Sequence, residues 1–185
     1  MTPSLQSLNA ATRPQAVEMI APLVERSPWV AELAIDARPF GSDEALAQAL
    51  VEVILTADAQ RRTAMFNVHP ELAGAAAAEG RMTQESTFEQ GRLGLMSLTA
   101  AQAKHLRDLN ARYLTRFHHP FIIALHRIPD LDTLFATFER RLAASPIEEH
   151  TATLAEITSV IRARAAMSFG APAHNNSTSP SASPL

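Results

Sequence analysis

The stretch Ser145-Pro146-Ile147-Glu148 leaves the chain little conformational choice. A serine three residues ahead of a glutamate is a capping box, in which each side chain satisfies a backbone N–H left over at a helix start. Proline at the first helical position has its φ set in advance. The run that follows carries Leu154, Ile157 and Ile161 at helical spacing, which predicts a helix with one apolar face extending to about Ser168. The same grammar recurs upstream. Thr99-x-x-Gln102 opens a helix with Leu106, Leu109, Tyr113 and Phe117 inward. Asp130 caps one with Leu131, Leu134, Phe135, Phe138 and Leu142 inside, and Gly41-Ser42-Asp43 opens one striped by Leu46, Ala49, Leu50, Val53 and Ile54. Ser27-Pro28 starts another, carrying Trp29, Val30, Leu33 and Ala34 and ended by Arg38-Pro39. Asn9 is in position to cap a helix with Val17, Ile20, Leu23 and Val24 on one side.

These signals predict an all-α fold, a single-domain helical bundle over residues 1–168. Alanine and leucine dominate a chain with only 6 Gly, which favours helix over strand. From Gly170 onward the chain is mostly Ala, Pro, Asn, Ser and Thr, too polar to bury itself, and residues 169–185 are expected to be a disordered tail. Without cysteine the chain has no disulfide, no thiolate nucleophile and no Cys-ligated zinc. A net charge of -3 gives no basic footprint for nucleic acid. Apolar runs such as Phe121–Leu125 are too short to cross a bilayer, and Met1–Ala10 does not read as a signal peptide, so a cytoplasmic location is expected.

Three segments stay open to local reading. Phe121–Leu125 fits a buried extended segment or one turn of helix, and periodicity does not decide. The small-residue spacer from Gly74 to Gly80 suits a loop edge or a frayed turn. Beyond it, Thr83 or Ser86 is in place to cap a helix expected to run through Ser97.

Chemistry concentrates around that spacer. Proline biases the residue before it away from helix, so His69, directly ahead of Pro70, is expected in an extended junction that aims its ring. Ser86, Glu89 and Leu93 share a helix face, and a carboxylate beside a core leucine is there for pairing or function. On the last helix a step of three from Ile161 reaches Arg164, whereas Arg162 points away. A buried arginine needs an acceptor, either a structural carboxylate such as Glu89 or an oxygen-bearing group of a ligand that suits its planar fork. His105, His118, His119 and His126 lack the spacing of a metal site, and none is expected.

Taken in order, several motifs resemble the OHCU decarboxylase family, OHCU being 2-oxo-4-hydroxy-4-carboxy-5-ureidoimidazoline of urate breakdown. They are SPWVAELAIDARPF (27–40), HPELAG (69–74), S-x-x-EQ (86–90) with Gly94-Leu95 beyond it, LNARYLTRF (109–117) and HPFIIAL (119–125). The resemblance spans roughly Leu5 to Ala166. It implies His69 and Glu89 as catalytic, and Pro70, Ser86, Gln90, Phe121, Ile122 and Arg164 as substrate-binding. It implies decarboxylation to (S)-allantoin without cofactor, a small-molecule substrate and a homodimer. Asn110 and Tyr113 are expected to brace the site. His118 stands where the family commonly has glycine, in a loop suited to unusual dihedrals. Two other readings accompany this one. One is an imidazoline hydrolase or tautomerase on the same scaffold. The other is a non-catalytic helical module, in which Ser86, Glu89 and Arg164 would pair with each other and leave no cavity.

Overall fold

The computed structural model describes residues 4–74 and 84–170, apart from the side chains of Gln84, Glu85, Ser86 and Glu89. The expectations for the alanine spacer, for Thr83 and for the tail from 171 onward lie outside the described residues. Among the described residues every regular element is helical: α1 Leu5–Ala10, α2 Arg13–Ile20, α3 Pro28–Ala34, α4 Asp43–Thr56, α5 Ala59–Asn67, α6 Gln84–Arg92, α7 Ala100–Phe117, α8 Leu131–Leu142 and α9 Pro146–Phe169. Single 3₁₀ turns fall at Ala21–Leu23, Ile35–Ala37 and Leu125–Arg127.

The local start signals act as expected where the acceptor is a neighbour. Reciprocal capping boxes form at Thr99/Gln102 and Ser145/Glu148, and Ser42 and Asp130 accept from backbone N–H groups one turn on. Each such cap contributes about 1 kcal/mol. Burying one Leu, Ile or Phe contributes roughly 1.5–3 kcal/mol, so caps fix the boundaries while the core holds the fold.

Three start or stop expectations fail for identifiable reasons. Asn9 lies inside α1 rather than ahead of a helix, and its side-chain amide exchanges two 2.9 Å hydrogen bonds with the backbone of Phe40. Ser4 and Thr12 cap α1 and α2 instead, through boxes with Ser7 and Gln15. Ser27 precedes α3 but turns its hydroxyl back to the Glu25 carbonyl at 3.1 Å. The helix expected through Ser97 ends at Arg92. There Gly94 takes φ +70°, its N–H donates to Gly91 O, and Leu95 N–H donates to Gln90 O, a Schellman stop that glycine makes cheap. Leu93 is buried, as expected, whereas Met96 is exposed. α9 continues one residue beyond Ser168, burying Phe169.

Two apolar clusters form. The first gathers α1 to α5 against α9, which packs along α4, and includes Ile54, Phe66, Ile157 and Ile161. The second gathers α7 and α8 with Leu72, Leu93 and Leu95. Phe121–Leu125 joins them. Its first four residues are non-helical, and side chains of an extended chain alternate sides. Phe121, Ile123 and Leu125 enter the second cluster, while Ile122 enters the first. The segment that periodicity left ambiguous is therefore an extended partition between two cores.

Candidate active site

A cavity opens at that partition. Its apolar wall draws Leu23, Val24, Ile54, Met65, Ile157 and Ile161 from the first cluster, and Leu72, Phe121, Ile123 and Leu125 from the second. Its polar lining includes Glu25, Ser27, His69, Gln90 and Arg164, with Pro70 beside His69. An apolar recess with a few convergent polar groups is the ordinary form of a small-molecule site.

His69 is delivered by the end of α5. The helix stops at Asn67, Val68 caps it, and His69 N–H donates to Phe66 O at 3.2 Å before Pro70 prevents continuation. The ring is half-buried, with Nδ1 2.9 Å from the Met65 carbonyl. A carbonyl only accepts, so Nδ1 carries the proton and the neutral ring keeps its lone pair on Nε2. Burial pushes the His69 pKa below its ordinary value. The Met65 hydrogen bond and the Glu25 charge oppose that push, while Arg164 and Arg26 add to it. A neutral imidazole at neutral pH, held in one tautomer, is suited to accept a proton.

Arg164 arrives from α9, on the buried face that includes Ile157 and Ile161. Its Nη1 donates to Glu25 Oε2 at 3.2 Å, with both side chains nearly inaccessible. The alternative acceptor named from sequence, Glu89, has a side chain outside the described residues. Arg162 lies on the surface side, paired with Glu44 and with Gln48 Oε1. The helical-phase distinction between the two arginines holds.

Gln90 sits in α6, buried against the cavity, and its Oε1 accepts from Ala73 N–H at 2.9 Å. That bond secures a turn in which Ala73 adopts φ +46°, and Asn110 Nδ2 holds the adjoining Leu72 carbonyl at 3.1 Å. The Phe121–Ile122 part of the wall is fixed by a buried network. Arg141 donates to the Ile122 carbonyl at 2.7 Å, lies over the Phe121 ring, and pairs with Glu149, which also accepts from Tyr113. Phe121 stacks on Phe138 at 3.8 Å. Asn110 and Tyr113 thus brace the site, as expected. His118 ends α7 at φ +60°, the left-handed geometry anticipated there.

The family model for OHCU decarboxylase matches residues 9–166. The chain belongs to the OHCU decarboxylase family. The 2-oxo-4-hydroxy-4-carboxy-5-ureidoimidazoline decarboxylase of Haloferax volcanii is 31% identical over 166 residues, which cover 90% of this chain and 96% of that protein. Among solved structures, an (S)-allantoin synthase superposes with TM-score 0.70 at 19% identity, covering 90% of this chain and 54% of that one. An OHCU decarboxylase crystallised in the presence of (S)-allantoin gives TM-score 0.64 at 16% identity, covering 80% of this chain and 96% of that one. The two structures share the helical fold.

Of the residues carried over from the OHCU decarboxylase family, His69, Pro70, Gln90, Phe121, Ile122 and Arg164 line one cavity. Ser86 and Glu89 lie on α6, whose Gln90 is in the lining, but their side chains are outside the described residues. The other histidines of the sequence pattern lie apart from one another's chemistry. His105 faces Glu139 and Phe135, His126 faces Ser159, His119 packs among Phe66, Tyr113 and Phe117, and His118 is exposed. Sequence reading missed Glu25, Arg141 and Glu149. A charge embedded in the apolar run Leu23-Val24-Glu25 was the only local trace of the first. The Arg141–Glu149 pair spans a helix boundary and leaves no periodic trace.

Proposed function

We propose that this chain is an OHCU decarboxylase that forms (S)-allantoin, with His69 handling the proton and Arg164 anchoring the substrate. The observation that carries the reading is the single cavity shared by His69, with its Nε2 lone pair available, and the buried Arg164. The family's decarboxylases, named for this substrate, support it. A non-catalytic module would leave no such recess.

The chemistry follows from the substrate. One ring carbon of OHCU bears both a carboxylate and a hydroxyl, next to a ring C=N whose carbon bears the ureido group. As the bond to the carboxylate breaks, its electron pair moves toward that C=N and CO2 leaves. The substrate is thus its own electron sink. The ring nitrogen that received the pair takes a proton from water, the hydroxyl gives up its proton as its carbon becomes a carbonyl, and the ureido-bearing carbon takes a proton on one face. His69 Nε2 is suited to receive the hydroxyl proton. Arg164 suits a carboxylate or ureido carbonyl, and Ile122 and Phe121 form a wall against the ring. Glu89 is assigned the ring N–H groups, with Ser86 and Gln90 as further contacts and Pro70 packing beside the histidine. A homodimer and a cytoplasmic location belong to the same proposal, and are tested by sedimentation and by fractionation.

The test is stereochemical. Protonation in free water has no facial preference and gives racemic allantoin, so enzyme acting on freshly generated OHCU should give a growing circular-dichroism signal of the S enantiomer. Racemic product at the background rate would refute the reading. A different ring product would favour the hydrolase or tautomerase.

A further inference from the structure

Between α2 and α3 the chain turns a tight corner that ends in a buried carboxylate. Val24 and Ser27 are buried while Arg26, between them, takes φ +48°, a region a side-chain-bearing residue adopts reluctantly. Ser27 holds the corner twice, through its N–H to Val24 O at 3.2 Å and its hydroxyl to Glu25 O at 3.1 Å. The consequence is an exposed Arg26 and an inward Glu25, only 8% accessible and in the cavity lining. Backbone held in an unfavourable region by its surroundings is a feature of functional corners.

Resting on the decarboxylase reading above, we infer that Glu25 is a positioning residue of the site, holding the Arg164 guanidinium at the cavity wall so that substrate meets a paired guanidinium rather than a bare cation. The geometry has three parts: Glu25 Oε2 accepts from Arg164 Nη1, the same Nη1 lies 3.4 Å from Pro22 O, and Glu25 and Arg164 both line the cavity that holds His69. Two elements far apart in sequence, the corner and α9, are joined at this point. Pairing matters for the reaction class. A bare guanidinium would grip the departing carboxylate most strongly before CO2 leaves, which stabilises the ground state and slows the step. A paired one still donates hydrogen bonds but discriminates less between the two states.

The pair also sets the charge around His69. Glu25 and Arg26 face it from the corner, Arg164 from α9, and the Met65 carbonyl from its own helix. Glu25 favours the imidazolium and Arg164 disfavours it, so removing each should move His69 in opposite directions.

The experiment is an NMR pH titration of the His69 ring in the full-length protein without ligand, for wild type, Glu25→Gln and Arg164→Gln. It is paired with OHCU kinetics on the same samples. The expected result is a His69 midpoint lower in Glu25→Gln and higher in Arg164→Gln. Glu25→Gln should also lose about tenfold or more in kcat with KM unchanged or reduced. A merely structural ion pair predicts unmoved midpoints, or shifts in the same direction, with rate loss following melting temperature; either result overturns the inference. If Glu25→Gln fails to fold, Arg164→Gln alone decides, since an unmoved or lowered midpoint there is equally fatal. Opposed shifts in a protein that does not turn over OHCU would leave the Glu25 assignment standing and refute the decarboxylase reading.

Discussion

Arg141 donates from Nη1 to the carbonyl of Ile122 at 2.7 Å while its guanidinium lies 4.6 Å from the centre of the Phe121 ring. One side chain of α8 thereby holds two adjacent residues of the cavity lining, Phe121 and Ile122. Its remaining donors go to Glu149 and Thr153, and Glu149 takes the Tyr113 hydroxyl as well. All four residues of the network are buried, so breaking it strands a charge away from water.

Arg141→Met should therefore destabilise the protein by about 3–5 kcal/mol, the usual cost of orphaning one partner of a buried pair. Urea unfolding measures it. Arg141→Met combined with Glu149→Leu should recover much of that loss, because the stranded carboxylate is gone. A single-variant cost under about 1 kcal/mol, the scale of an exposed pair, would show that Glu149 finds water or another partner.

Arg164→Ala should lower kcat/KM by roughly ten- to a hundredfold, the worth of one charge-assisted hydrogen bond to substrate. Arg162→Ala should leave it unchanged, since Arg162 pairs with Glu44 and Gln48 on the surface. Steady-state kinetics on both variants would reveal a reversal of that order, which would contradict the assignment of Arg164.

Stability should fall as pH drops below about 6.5. Burial is the leading cause lowering the pKa of His69, His119 and His150, so the folded chain resists protons that the unfolded chain accepts. The stabilising contribution is fully present above the ordinary value of 6.5. It is lost as pH falls from there toward the depressed folded values. Melting temperatures at pH 7.5 and 5.5 test this. The drop should shrink in His119→Gln, and a flat profile across that interval would contradict it.

His118→Gly should hold or raise the melting temperature. The left-handed backbone at φ +60° costs an ordinary residue roughly 1–2 kcal/mol, against about 0.5–1 kcal/mol for glycine's extra freedom when unfolded. His118→Val should lower it clearly. Differential scanning calorimetry showing glycine the worse of the two would mean that the His118 ring carries a contact of its own.

The contrast between Ser145 and Asn9 shows what sequence could resolve. Ser145 finds its partner three residues on, so the box could be read locally and formed as read. Asn9 carries an equally good capping side chain, but its partner is Phe40, 31 residues away, and tertiary pairing wins. The site divides the same way. His69 before Pro70 and Arg164 in phase with Ile161 are local patterns. Glu25 depends on a partner 139 residues distant, and the alternation of Phe121, Ile122 and Ile123 between two cores exists only once both cores have formed.

The most direct test is conversion of freshly generated OHCU by His69→Asn, followed by circular dichroism beside a melting curve. Asparagine keeps polarity and much of the volume but cannot exchange a proton near neutral pH. The expected result is a melting temperature close to wild type with enzyme-dependent formation of (S)-allantoin reduced at least about a hundredfold, the low end of acid–base contributions. A His69→Asn protein that still forms (S)-allantoin within about threefold of the wild-type rate, a difference well under 1 kcal/mol, would contradict the role of His69.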